Sequence, residues 1–72
     1  MEFDFSKLVG RIIEKFGTRA AFAAAAGYTE SALSYRLNNK VKFSLPEMYL
    51  IIQLLEIDPA DISLYFFTPK VR

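Results

Sequence analysis

The sequence of 72 residues contains no cysteine and no histidine. Without cysteine, neither a disulfide framework nor a thiolate metal site can form, and the reducing cytoplasm is the expected compartment. Without histidine, the chain lacks the commonest general base and the commonest metal ligand. Secretion and acid–base catalysis are therefore both disfavoured.

Long apolar runs are also missing. Residues 1–6 are acidic and lack the basic start and apolar run of a signal peptide, and no stretch of about 18 uncharged apolar residues occurs elsewhere. We therefore expect a soluble chain with no membrane partner. Glycine and proline are scarce, at three residues each, and no linker divides the chain, so residues 1–72 are expected to form one domain.

The net charge of +1 conceals an uneven distribution of charge along the chain. Residues 7–42 carry seven cations against two anions, a balance of +5, whereas residues 43–69 carry four anions and no cation. The seven cations are Lys7, Arg11, Lys15, Arg19, Arg36, Lys40 and Lys42. A polyanion facing the first part is one interpretation, and ordinary solvated charge that is unevenly placed is the other. Charge alone leaves both open.

Apolar periodicity and capping residues predict five short helices, of which the first begins near Ser6 and stops at Gly17. Its apolar stripe consists of Leu8, Val9, Ile12, Ile13 and Phe16. Gly10 lies inside this helix, where glycine costs about 1 kcal/mol relative to alanine. Either a neighbour approaches closely at Gly10 or the glycine is simply tolerated.

The second and third helices are predicted from their caps. The second follows Thr18, a good N-cap, and runs over residues 19–26 to a glycine. The third follows Thr29 and runs over residues 30–37 until a pair of asparagines ends it. Leucine supplies the strong apolar anchors of the third helix, so the rest of its surface faces water or a polar partner.

The fourth helix begins at a capping box formed by Ser44 and Glu47, and ends near Glu56. Aspartate and proline within residues 58–61 repeat the capping signal and start a short fifth helix. Residues 68–72 are expected to be a loose tail. Five short helices joined by tight turns, with no competing strand pattern, predict an all-α orthogonal bundle.

Residues 19–38 form the segment on which the functional prediction depends: a helix, a glycine-led turn and a second helix with a polar exposed face. Gly27 can supply the positive φ that sets one short helix across another. Ala23 is expected where the two helices cross, because the crossing needs a small side chain. The joint is expected to be sealed by Phe22, Ala26 and Leu33.

This segment resembles the helix-turn-helix repressors of temperate phages, the Cro and cI-type family with a lambda-repressor-like fold. The residues that carry the resemblance are Arg19, Ala23, Gly27, Leu33 and the Asn38-Asn39-Lys40 ending. Residues 54–62, Leu-Leu-Glu-Ile-Asp-Pro-Ala-Asp-Ile, are similar to the family's fourth and fifth helices, so the resemblance extends over residues 5–67. It implies a Cro-like transcriptional regulator that binds operator DNA in a bacterial host cell.

The resemblance also implies roles for individual residues, with the third helix, Glu30 to Leu37, in the major groove. Ser31, Ser34 and Tyr35 would face the bases, and the Glu30 carboxylate would accept from a cytosine amino group. Phosphate contacts would come from Arg19, Thr29, Asn38, Lys40 and Lys42. The same residues also fit a solvated helix, a tyrosine folded back on the bundle and a connector kept soluble by its lysines.

Three positions depart from the family pattern. Arg36 occupies a position that is usually apolar and Leu37 a position that is usually polar, so Leu37 is an alternative anchor for the third helix. Glu30 replaces the usual glutamine and brings an anion to where phosphates would lie. The departures concern how DNA would be read, and they leave the fold prediction unchanged.

Several apolar residues lie outside the stripes of the predicted helices. They are Tyr49, Leu50, Leu54, Leu64 and Phe67, together with Phe3 and Phe5 before the first helix. Either a small bundle buries them from several sides, or the fourth and fifth helices form an interface. That interface would make a homodimer or bind a different protein.

The competing function is an antirepressor, or modulator of repression, that binds the partner phage repressor in the lysis–lysogeny switch. The near-neutral net charge, Glu30 in the third helix and the lack of a basic N-terminal arm favour it over a strong DNA binder. Its contact surface would include Glu30, Ser34 and Tyr35. An enzyme has the least support: Ser31 and Ser34 have no histidine to activate them, and no phosphate-binding loop or metal-ligand cluster calls for a cofactor.

Overall fold

The computed structural model describes residues 2–71 and has five α-helices within them. The helices are α1 (Ser6–Phe16), α2 (Arg19–Ala26), α3 (Glu30–Leu37), α4 (Leu45–Leu54) and α5 (Ile62–Phe66). A 3₁₀ turn, Pro59–Asp61, leads directly into α5. The all-α fold class with five helices is confirmed. None of the helices in residues 2–71 is long and apolar enough to span a membrane.

The ends of the first two helices lie where their caps were predicted. Gly17 and Gly27 follow the last residues of α1 and α2 with φ of 83° and 81°, a region that L side chains rarely adopt. The Thr18 hydroxyl accepts a hydrogen bond from the Ala21 amide at 3.1 Å and so caps α2. These caps set the orientation of the chain on both sides of α2.

The capping box of α4 is also confirmed. The Ser44 hydroxyl accepts from the Glu47 amide at 3.2 Å, and the Glu47 carboxylate accepts from the Ser44 amide at 2.8 Å. At its other end α4 stops at Leu54, slightly before the predicted end near Glu56, which adopts a positive φ of 53°. The prediction for the fifth helix needs a correction: Asp58 caps a 3₁₀ turn, and the α-helix begins only at Ile62.

The core forms around α2, which packs against α1, α3 and α4. Its buried apolar residues are Phe5, Leu8, Ile12, Phe22, Ala23, Leu33, Phe43, Met48, Ile51, Ile52, Leu55, Ile57 and Phe66. Phe43 joins α5 to the start of the chain, since its ring meets the rings of Phe5 and Phe66 edge to face at 5.4 and 5.2 Å. Three aromatic rings thus supply much of the burial at this end of the bundle.

One expectation for α1 is wrong, and of the two alternatives for Gly10 the second holds. Ile13, assigned to the apolar stripe, is 44% exposed, because the buried face of α1 is narrower and is formed by Leu8 and Ile12. Gly10 does not allow a close approach: a Cβ atom added there would meet nothing within 4 Å. Gly10 is therefore a tolerated glycine on an exposed part of the helix.

The expectation of a loose tail at residues 68–72 is also wrong for residues 68–71, which the structure describes. Phe3 and Pro69 form an antiparallel β-bridge. The Asp4 amide donates to the Thr68 carbonyl at 2.7 Å, and the Lys70 amide donates to the Glu2 carbonyl at 3.1 Å. The two ends of the chain are therefore held together by backbone hydrogen bonds, while residue 72 lies outside the described residues.

Candidate partner-binding site

The turn between α2 and α3 is built by local backbone hydrogen bonds. Gly27 has left-handed backbone angles, and the next amide, that of Tyr28, donates back to the Ala23 carbonyl at 2.8 Å. The Thr29 hydroxyl then accepts from the Ala32 amide at 3.0 Å and starts α3. The predicted role of Gly27 at the joint is confirmed.

The joint fixes which side of α3 faces outward. Leu33 is only 2% exposed and packs with Ala23 and Phe22 in the core. Leu37 is half-buried against the same core, so it anchors the last turn as the alternative predicted. The opposite side of α3 is polar and points away from the bundle.

We refer to this side and its flanks as the α2–α3 surface. It consists of the residues predicted to bind DNA or a repressor: Arg19, Thr29, Glu30, Ser31, Ser34, Tyr35, Asn38, Lys40 and Lys42. All are exposed except Ser34, which is half-buried. Arg19, Glu30 and Ser34 line one notch and Lys40 lies over the Tyr35 ring, whereas Lys42 lines a separate pocket beside Phe43. Which of the predicted residues contact a partner stays a prediction.

Several of these side chains already have partners within the chain. The Thr29 hydroxyl is used as the helix cap. The Asn38 amide donates to the carbonyl and the hydroxyl of Ser34 at 2.9 and 3.2 Å. The Tyr35 ring, half of which is exposed, lies 6.0 Å from the Lys40 ammonium. Tyr35 therefore points outward and does not fold back on the bundle.

The cations of residues 7–42 are mostly engaged elsewhere. Three form ion pairs, namely Arg11 with Glu14, Lys15 with Glu56 and Arg36 with Glu47. Lys7 and Lys40 lie over the tyrosine rings of Tyr65 and Tyr35. Within residues 2–71, this leaves Arg19 and Lys42 as the cations of that segment with no ion pair, hydrogen bond or ring contact. The balance of +5 in the sequence therefore overstates the positive charge available to a polyanion.

A surface notch of about 190 Å³ lies between α2 and α3 and is lined by Arg19, Glu30, Leu33 and Ser34. Arg19 and Glu30 form no ion pair with each other or with another described residue. The notch therefore offers an incoming partner one acid and one base together. A phosphate backbone is repelled by such an acid, whereas a protein surface with charges of both signs can match it.

A polar cluster next to the α2–α3 surface was not foreseen from the sequence. Glu47 Oε1 accepts hydrogen bonds from the Tyr28 hydroxyl and from Arg36 Nε, both at 2.5 Å. Arg36 Nη1 donates to the Ala32 carbonyl at 2.9 Å, and the guanidinium lies 4.9 Å from the centre of the Tyr28 ring. The cluster joins the α2–α3 turn, α3 and the start of α4.

The environment of the cluster shifts two pKa values. Burial of Glu47 raises its pKa, but hydrogen bonds from Tyr28, Ser44 and Arg36 outweigh burial and lower the pKa to about 2. Burial and the hydrogen bond to Glu47 raise the pKa of Tyr28 above its ordinary value. Glu47 is therefore an anion and Tyr28 a neutral donor at neutral pH. An arginine at a usually apolar position was the sequence signal that could have revealed this cluster, since a half-buried cation needs a counter-charge.

The apolar residues proposed as a second interface fall into two groups. Tyr49, Leu50, Leu64 and Phe67 are exposed, Tyr49 most of all at 63%. Leu54 is half-buried and packs against the core, so its place in an exposed interface is not supported by its burial. Phe3 and Phe5 belong to the bundle, as the core interpretation predicted: Phe5 is buried and Phe3 packs against the core.

Comparison with known proteins found similarity to one protein family and to a solved phage protein. The sequence matches a family described as "Protein of unknown function (DUF739)" over residues 1–69. It is similar to the solution structure of the modulator of repression (MOR) of the temperate bacteriophage TP901-1 from Lactococcus lactis, with 43% sequence identity and a TM-score of 0.83. That match covers 100% of this chain and 97% of the other. No curated protein matches the chain.

Proposed function

We propose that this chain, which belongs to the family described as "Protein of unknown function (DUF739)", is a modulator of repression. It binds the DNA-binding domain of a phage repressor through the α2–α3 surface and so acts in the lysis–lysogeny switch. The observation that carries the proposal is the likeness over the whole chain to a phage modulator of repression. The role is regulatory and requires no catalysis and no cofactor.

The charges of the α2–α3 surface support a protein partner over DNA. Strong binding to DNA needs several cations that neutralise phosphates, typically about six to ten contacts. Three of the seven cations of residues 7–42 are held in ion pairs and two lie over tyrosine rings, and Glu30 places a carboxylate beside Arg19 on the same surface. A repressor's DNA-binding surface is itself basic, so Glu30 attracts that surface and repels a phosphate backbone.

The exposed tyrosine of α3 gives the proposed interface its central contact. Tyr35 offers a large apolar ring and a hydroxyl group on an otherwise polar face. Tyrosine is enriched among the residues that contribute most to protein–protein binding. We therefore assign Tyr35 as the anchor and Glu30 and Ser34 as polar contacts beside it.

Direct binding to operator DNA is the second candidate, and one observation favours it. Gly27 sets α2 and α3 at a tight joint with a polar exposed face on α3, as a reading helix requires. In that case α3 enters the major groove, and exposed Tyr49, Leu50, Leu64 and Phe67 supply the surface for a homodimer. The charge distribution gives this candidate less support.

Fluorescence anisotropy separates the two functions. Labelled DNA fragments from the genome that encodes this chain are titrated with the chain alone, with the repressor encoded in the same genome, and with both. A modulator leaves the DNA unbound by itself and releases the repressor from its fragment. Selective binding by the chain alone that weakens steeply with salt would establish operator binding instead.

Two tyrosine variants identify the surface in the same assay. Tyr35→Ala should weaken repressor release at least tenfold, because an anchor side chain at an interface contributes about 2 kcal/mol or more. Tyr49→Ala removes the same type of side chain, also exposed, from α4 and should leave release unchanged. The opposite pattern would move the interface to α4 and α5.

A further inference from the structure

We infer that Glu47 determines the class of partner that the α2–α3 surface accepts, by holding Arg36 away from that surface. The inference rests on the proposed function, because it explains how the fold of a DNA reader presents a face suited to protein. It concerns a residue of α4 that lies outside the α2–α3 surface itself. The evidence comes from the contacts of the two side chains and from the charges that remain.

Arg36 follows Tyr35 on α3, but its side chain is directed toward α4. Its Nε donates to Glu47 at 2.5 Å and its Nη1 donates to the Ala32 carbonyl at 2.9 Å. The guanidinium also lies over the Tyr28 ring, and only 19% of the side chain is exposed. A guanidinium free to leave these contacts would be a phosphate-binding group.

Glu47 is held in place independently of Arg36. Its second oxygen accepts from the Ser44 amide at 2.8 Å in the capping box, and the Tyr28 hydroxyl donates to its first oxygen at 2.5 Å. These contacts leave the carboxylate little freedom to follow Arg36 toward a partner. The anion is thus a fixed anchor for the arginine, and its low pKa keeps it charged at neutral pH.

Holding Arg36 in place changes the balance of charge on the α2–α3 surface. With Arg36 paired, the charges of the α2–α3 surface outside any ion pair are the cations Arg19, Lys40 and Lys42 and the anion Glu30. Releasing Arg36 from Glu47 would leave a fourth cation without an ion pair, on the residue that follows Tyr35 in α3. A surface with more free cations gains affinity for any nucleic acid and loses complementarity to a basic protein.

Glu47→Gln tests this inference directly. Glutamine keeps the shape of the side chain and can still close the capping box, but it removes the charge that holds Arg36. The probe is a labelled double-stranded DNA of random sequence, titrated with the protein at salt concentrations between about 50 and 200 mM. The slope of log K against the logarithm of the salt concentration changes by about 0.9 for each phosphate contact. We expect the affinity of Glu47→Gln for this DNA at about 50 mM salt to rise roughly tenfold and the slope to steepen by about 0.9, which corresponds to one phosphate contact.

Glu56→Gln is the matched control. It also removes one carboxylate charge and frees one cation, Lys15. That cation lies on α1, and its ion pair with Glu56 is exposed. An equal gain in DNA affinity in Glu56→Gln would overturn the inference, because net charge alone would then explain the gain. The double variant Arg36→Gln/Glu47→Gln should lose the gain, and persistence of the gain there would also contradict the role of Arg36.

The single variant Arg36→Gln provides a second test, which holds even if the Glu47→Gln variant fails to fold. Because Arg36 is withheld from DNA, its loss should leave the weak, non-specific retention of the chain on DNA-cellulose at about 50 mM salt unchanged, while Lys42→Gln should reduce that retention. Equal losses in both variants would overturn the inference. Tight DNA binding by the unchanged chain would instead contradict the proposed function, so the two failures are distinguishable.

Discussion

Glu47 on α4 and Arg36 on α3 form an ion pair in which both side chains are largely buried, 24% and 19% exposed respectively. The pair links the helix with the proposed binding face to the helix behind it, with the Tyr28 hydroxyl as a third member. Charged groups buried to this degree stabilise the fold only while all partners are present, because a lone charge left behind is strongly disfavoured. The stability of α3 therefore depends on Glu47.

Glu47→Ala should destabilise the protein by about 2–3 kcal/mol, since it removes hydrogen bonds to a charged group and half of a capping box. Glu47→Gln should cost less, because its amide still caps α4. Urea unfolding followed by circular dichroism measures both changes. A loss below about 0.5 kcal/mol for Glu47→Ala would contradict the assigned role of the cluster, since ordinary surface substitutions fall in that range.

Stability should fall with acid in a defined pH window. The pKa of Glu47 drops from an ordinary 4.5 to about 2 on folding, so its contribution is complete above 4.5 and is lost as the pH falls toward 2. Unfolding free energies between pH 6 and about 2.5, measured for the unchanged chain and for Glu47→Gln, should differ in slope over this window. Some acid dependence should remain in the variant, because contacts with Lys15 and Ser6 lower the pKa values of Glu56 and Asp4. Parallel curves would contradict the low pKa of Glu47.

Substitution of alanine at two glycines should have opposite effects. Gly10→Ala should stabilise the protein by about 0.5–1 kcal/mol, because the site is helical and a Cβ atom there meets nothing within 4 Å. Gly27→Ala should destabilise it by about 1 kcal/mol or more, because φ at Gly27 is 81°. Thermal unfolding of the two variants checks the pair. Equal shifts in Tm would contradict the positive φ at the joint.

Asn39 connects the end of α3 to the start of the chain. Its side chain accepts from the Phe3 amide at 2.9 Å and donates to the Phe3 carbonyl at 3.0 Å, and its own φ is 64°. Asn39→Gly keeps the backbone conformation and removes both hydrogen bonds, so it should destabilise by about 1 kcal/mol and speed hydrogen exchange at Phe3. Asn38→Ala is the control, because the Asn38 amide bonds only within α3. Unchanged exchange at Phe3 in Asn39→Gly would contradict the connection.

Local signals predicted most of the helix boundaries. The caps Thr18, Thr29 and Ser44 and the stop glycines Gly17 and Gly27 act within about four residues of themselves, so the sequence reveals them directly. The extent of burial was less predictable: Ile13 fits the periodic stripe of α1 and yet is exposed. Periodicity indicates a helix face, but the neighbours that cover the face come from elsewhere in the chain.

Features that join distant segments were missed for a related reason. The Arg36 and Glu47 side chains are 11 positions apart, and Phe3 and Asn39 are 36 apart. Nothing in the local sequence shows that the Glu47 carboxylate, besides closing its capping box, also accepts hydrogen bonds from Tyr28 and Arg36. The pairing of residues 2–4 with residues 68–70 likewise appears only once the bundle brings the chain ends together.

The residues of the α2–α3 surface were predicted as a set, and their partner was predicted as operator DNA with a phage repressor as the alternative. Helix spacing and the joint at Gly27 place Ser31, Ser34 and Tyr35 on the outward side of α3 whether the partner is DNA or protein. The partner depends on which cations remain free, and that depends on ion pairs such as those of Arg11, Lys15 and Arg36. Counting charges along the sequence left a polyanion and ordinary solvated charge equally open, because the count could not include those pairs.

Release of a repressor from its operator tests the central claim most directly. The DNA-binding domain of the repressor encoded in the same genome is held on labelled operator DNA, and this chain is titrated in while anisotropy is recorded. The account predicts that the DNA is released by the unchanged chain and by Tyr49→Ala, and that Tyr35→Ala requires at least tenfold more protein. Persistence of the repressor–operator complex at saturating protein, or selective binding of the operator by this chain alone, would contradict it.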